Sequence, residues 1–163
     1  MPIHFLHPIL TAIFALLLVI LVPRSEIRRL AIYGIIFGGL MDVLMLTIGN
    51  LTGFFGWINF GPFGLSYLPF FAPISWSIYY IMYFYFLPRQ KTLIYLFAAS
   101  GIGMSILYTN VVINLGVFMS TVGRVIVPLI TFIFWFSIAT MGYFKLSEHF
   151  GNIKKDECNK DNM

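Results

Sequence analysis

Five apolar runs, each separated from the next by proline, glycine or clustered charge, set the pattern of this chain. They cover about Phe5–Val22, Leu30–Ile48, Tyr67–Leu87, Thr92–Leu115 and Phe118–Phe144. A helix that crosses a bilayer needs roughly 20 predominantly apolar residues. Each run therefore predicts a spanning helix, and together they predict an all-α, polytopic membrane protein with a bundle of five transmembrane helices. The first run ends at Pro23-Arg24-Ser25-Glu26 and the third at Pro88-Arg89-Gln90-Lys91. At both places proline halts a helix and charge marks water. Residues 1–145 form the membrane domain, and 146–163 form a polar tail expected to fray beyond a turn or two.

The basic residues orient the bundle. Arg24, Arg28 and Arg29 follow the first run, Arg89 and Lys91 the third, and Lys145, Lys154, Lys155 and Lys160 the fifth. With five spans these three regions share one side. The opposite side holds the amino terminus, the Gly49–Ser66 connector and the Gly116–Val117 turn, none of which carries Lys or Arg. Positively charged connectors stay cytoplasmic, so the amino terminus is expected outside and the tail in the cytoplasm of a cell-membrane protein. Met1–Leu10 has no Lys or Arg, no small-residue cleavage pattern follows, and the stretch does not read as a cleavable signal.

The 49–66 connector has no charge, five glycines and five aromatic rings. Glycine and proline oppose a regular helix there, while the rings resist full exposure to water. Two readings stand: an aromatic belt at the outer interface, or a re-entrant cap whose backbone is satisfied by protein. Asn50-Leu51-Thr52 has the form of a glycosylation sequon, a short pattern that arises often by chance.

Small and polar residues mark the faces that pack, because lipid removes the usual hydrophobic drive between helices. Gly34, Gly38 and Asp42 follow one another at every fourth position, so they share one stripe of the second span. Ala99, Gly103, Leu107, Asn110 and Asn114 form a stripe on the fourth. Ser120, Arg124, Pro128 and Thr131 do so on the fifth. These three stripes are expected to face a common centre, with the first span peripheral. Pro128 is expected to kink the fifth helix and free the Arg124 carbonyl.

Asp42 and Arg124 are the charged side chains that fall inside the apolar runs. Each lies about six residues from its helix end, roughly 9 Å deep, so antiparallel helices bring them to similar depth. A charge in hydrocarbon has a partner or lines a cavity. The pair reads either as a buried ion pair that fixes helix register or as part of an outward polar pocket. That candidate binding pocket comprises Asp42, Arg124, Asn110 and Asn114, with Gly34, Gly38, Ala99, Gly103 and Pro128 as packing positions. A third reading lets Arg124 snorkel to the headgroups.

Composition agrees with the membrane assignment. Apolar residues make up 60% of the 163 and charged residues 10%, against about 25% charged in soluble domains. The net charge of +4 sits in connectors rather than on a basic aromatic face, so nucleic acid is not an expected partner. The single cysteine, Cys158, allows no internal disulfide, and its expected state is an inert cytosolic thiol. His4 and His7, expected at an exposed terminus, lack a third ligand, and no metal or other cofactor is expected. Tyr79, Tyr80, Tyr83 and Trp76 read as belt or packing residues. No HExxH, GxSxG, Walker or CxxC sequence occurs, which removes the catalytic classes those patterns carry. The expected role is a non-enzymatic, membrane-embedded accessory or binding subunit, associated with the lipid bilayer and with copies of itself or other membrane subunits. A small ion- or proton-coupled transporter, or an enzyme acting on a lipid or isoprenoid, are the alternatives.

Overall fold

The computed structural model describes residues 5–121 and 123–160, with side-chain surroundings through Glu148. The chain is mostly helical. Helix α1 (Leu6–Leu21) turns at Pro23 into α2 (Arg24–Gly34), a π-helical turn (Ile35–Leu40) and α3 (Met41–Thr52), which form one continuous rod. Strands β1 (Phe55–Trp57), β2 (Gly64–Leu65) and β3 (Leu68–Pro69) follow, then α4 (Phe71–Phe86) and α5 (Lys91–Asn114). Strand β4 (Phe118–Ser120) leads into α6 (Ile126–Lys160).

Three stretches are long and apolar enough to cross a membrane: Arg24–Thr52, Lys91–Asn114 and Ile126–Glu148. The architecture fits a helical membrane protein. Helices α1 and α4 have 16 residues each, about 24 Å at the α-helical rise, which is less than the roughly 30 Å of a hydrocarbon core.

Helix α4 is the hub. On one side it takes the glycine stripe of the long rod. A methyl group on Gly38 would strike the Trp76 backbone carbonyl, and one on Gly34 would strike the Ile81 side chain. Backbones therefore approach as closely as small residues permit. The other side of α4 meets α6 through stacked rings. Tyr80 lies 5.8 Å from Trp135 and 5.4 Å from Phe136, centroid to centroid, and the Tyr83 and Thr140 hydroxyls are 2.9 Å apart. Tyr79, Tyr80 and Tyr83 are thus packing residues of the bundle interior. The partner of the Gly34–Gly38–Asp42 stripe is the third apolar run, where the sequence pointed to the fourth and fifth.

The helix boundaries differ from expectation at the end where the strands lie. The second run continues as helix to Thr52 and stops at Gly53, whose left-handed backbone (φ 70°) ends it. The third helix begins at Phe71, with Pro73 in its first turn, where proline is tolerated. The largest correction concerns the fifth. Phe118–Ser120 is a strand paired antiparallel with β1, with Phe55, Gly56 and Trp57 opposite Ser120, Met119 and Phe118. Val117 and Phe118 are apolar because they cover the bundle end, Val117 being fully buried. Helix α6 starts only at Ile126. Arg124 consequently lies in the connector, and Pro128 sits in the first helical turn with no kink to impose. At the other end, α6 runs unbroken to Lys160, through the segment expected to fray. His4 and the side chain of Cys158 lie outside what is described.

Candidate functional site

Asp42 occupies the first turn of α3, directly after the π-helical turn. It is 3% exposed, and its Oδ2 is buried with no hydrogen-bond partner. Among the described residues the single salt bridge is Arg29–Glu26, at 2.6 Å. The expected ion pair with Arg124 does not form, because Arg124 is exposed in the β4–α6 connector. Its Nη1 donates instead to Asn114 Oδ1 at 3.2 Å. Asn110 donates to the Ile106 carbonyl of its own helix at 2.9 Å. Of the four residues expected to share a pocket, Arg124 and Asn114 meet at the strand end, Asn110 is occupied locally, and Asp42 lines a cavity without them.

The fourth-run stripe faces outward. Ala99, Gly103 and Leu107 are exposed, and a methyl group on Gly103 would meet open space. The face that α5 buries is Gly101, Ser105, Thr109 and Val112. Gly101 admits the Phe136 ring, while Ser105 and Thr109 donate to carbonyls one turn back, both at 2.8 Å. Both stripes obey the same four-residue spacing. The two asparagines drew the sequence reading to the wrong one.

The cavity at Asp42 measures about 50 Å³. On a scale where one water takes roughly 10–15 Å³, it admits a group of three or four heavy atoms. Besides α3, which brings Asp42, Met45 and Leu46, five elements build its wall. Strand β1 brings Phe55 and Trp57, α4 brings Trp76, α5 brings Tyr108, Thr109 and Val112, β4 brings Phe118, and α6 brings Pro128, Thr131, Phe132 and Trp135. The ribbon that holds Trp57 is well anchored. Ile58 N–H donates to Val117 O, Thr121 N–H donates to Phe54 O, both at 2.9 Å, and the Asn59 amide donates to Gly116 O at 2.9 Å. The 49–66 segment therefore contributes Phe55 and Trp57 to the wall of the site.

A larger cavity of about 240 Å³ lies on the other side of Trp57, Trp76 and Tyr108. Its lining includes His7, Ser75, Tyr79 and Ser105. His7 is buried, not at an exposed terminus. Its ring meets Trp57 edge-on at 4.3 Å, and its Nε2 has no partner, as is also true of Trp57 Nε1. Among the described residues no three His, Cys, Asp or Glu side chains come together as a metal site.

The wall residues Trp57, Tyr108 and Trp135 were not singled out by the sequence. The one available signal was placement: the indole of Trp57 stands in a glycine-rich segment that cannot form a regular helix. No known protein family, curated protein or solved structure matches this chain.

Proposed function

We propose that this is a five-span protein of a cell membrane, amino terminus outside, that binds a small ligand at Asp42 without transforming it. The observation that carries the reading is the Asp42 carboxylate, buried inside a cavity with an oxygen that nothing in the described protein satisfies. An unpaired buried charge is expensive, and a fold keeps one where a ligand completes it. Support for the orientation comes from the two ends of the bundle. Arg29, Glu26 and Arg89 all lie within electrostatic reach of Tyr143, so basic connectors gather at one end. At the other end, where β1 pairs with β4, the 49–66 connector carries no Lys or Arg and the 115–125 connector carries Arg124 alone. Among the described residues no second carboxyl group or activated nucleophile lines the cavity, which favours binding over acid–base chemistry.

Native mass spectrometry from mild detergent tests the reading. The wild-type protein should carry a small-molecule adduct that is missing from Asp42→Asn and from Val112→Phe, which fills the cavity. Identical spectra for all three proteins would remove the binding role.

A second reading, a small transporter, is favoured by the two cavities sharing the partition of Trp57, Trp76 and Tyr108. Movement of those rings would join a route from His7 to Asp42. Flux in proteoliposomes that Asp42→Asn abolishes would select it over simple binding.

A further inference from the structure

We propose that the ligand held at Asp42 is a small organic ammonium cation; this rests on the binding role just proposed and specifies its chemistry. Three observations carry it. First, the open position beside Asp42 is an acceptor, and among the described residues no Lys, Arg or His lines the cavity to neutralise it. Thr109 adds no donor, because its hydroxyl already donates to Ser105 O.

Second, the surroundings are aromatic on several sides. Trp57, Trp76, Trp135, Tyr108, Phe118 and Phe132 approach from five elements. Ring faces attract cations, tryptophan most strongly, and more so where water is excluded. An anion would face the carboxylate, and a neutral donor would bond its oxygen but leave its charge uncompensated. A bare metal ion fits poorly as well. Sodium, magnesium or calcium need about six oxygen ligands, and here the lining side chains offer one carboxylate, two threonine hydroxyls and the Tyr108 hydroxyl. An alkylammonium needs one carboxylate and apolar walls.

Third, size sets the class. The cavity admits a headgroup of three or four heavy atoms, as estimated above. Trp57 Nε1–H is buried without a partner on a ring that lines this cavity, a candidate donor to an acceptor oxygen on the same molecule. A primary amine or amino alcohol suits the site better than a bulky quaternary ammonium.

The chain supplies its own reporter. All three of its tryptophans line this cavity, so intrinsic emission reads the site without a label. Purified full-length protein would be titrated with propylammonium chloride, with 1-propanol as the uncharged counterpart and sodium chloride as the salt control. The expected result is a saturable emission change with propylammonium alone. Asp42→Asn should weaken it about tenfold or more, as loss of a charge-assisted hydrogen bond implies. Phe118→Leu, which keeps the carboxylate and removes one ring, should weaken it by about threefold or more. It keeps the test decisive if Asp42→Asn does not fold.

Equal response to propylammonium and 1-propanol would overturn the cation assignment. So would affinity unchanged in Phe118→Leu and in folded Asp42→Asn, or no saturable response to propylammonium at all. Retention of the Asp42-dependent adduct in native mass spectrometry under any of these outcomes would leave the binding role standing. Loss of both would remove the site.

Discussion

The indole nitrogen of Trp135 donates to the backbone carbonyl of Phe37 across 2.6 Å, in a buried position that ties α6 to the π-helical turn of the central rod. In a regular α-helix that carbonyl would accept from the Met41 amide. Here Met41 N–H donates to Gly38 O, and the Phe37 carbonyl is available to a neighbouring helix. The irregular turn thus carries a docking point just ahead of Asp42, and the bond fixes the ring that forms part of the cavity wall.

Trp135→Phe removes the donor and keeps most of the ring. It should cost about 1–3 kcal/mol, the price of an unmatched buried carbonyl, seen as a lower unfolding temperature in detergent. Unchanged stability would mean that the bond to Phe37 holds nothing together.

Glycines at equivalent-looking positions should behave oppositely. Gly38→Ala forces its methyl into the Trp76 backbone and should destabilise by about 1–3 kcal/mol through overpacking. Gly103→Ala faces open space and should be neutral or gain up to about 1 kcal/mol from helix propensity. Parallel thermal melts check both, and a reversal of the order would refute the α4 packing.

How much of this was readable beforehand varied with the distance over which the cause acts. The glycine–aspartate stripe of the second run was legible because helical periodicity is local. The start of α6 was not: Val117-Phe118-Met119 is as apolar as a helix, and only pairing with β1, far away in sequence, makes part of it a strand. Misplacing that start put Arg124 six residues inside a helix that had not begun. The pairing of stripes failed for another reason. Helix α4 presents rings and few small residues, yet it receives the close glycine contact because its backbone at Trp76 and Ser77 is the surface approached.

Asp42→Leu should raise the stability of the empty protein by about 1–3 kcal/mol, since it replaces an unmatched buried polar group with an apolar one of similar size. Chemical or thermal unfolding in detergent measures this. A loss of ~3–5 kcal/mol would instead reveal a buried charge partner.

Arg124→Gln should leave folding within about 0.5 kcal/mol of wild type, as exposed substitutions do, and should leave the tryptophan emission response intact. A large effect on either would restore Arg124 to the Asp42 site.

Orientation is open to cysteine labelling in intact cells, in a Cys158→Ser background. A membrane-impermeant maleimide should modify Asn59→Cys from outside, and Lys91→Cys only after permeabilisation. Both positions are exposed. The reverse pattern would invert the proposed topology.

The rod from Arg24 to Thr52 has 29 residues, about 44 Å by the helical rise, and the glycine contacts hold it beside the 16-residue α4. Neither partner can slide along the other to hide the difference. If both span a bilayer, as the five-span proposal requires, the long member leans or protrudes, while lipid beside the short one is drawn thin. Under that proposal acyl-chain length becomes a control on the protein: short-chain membranes would relieve the strain at α4, and thick ones would concentrate it there.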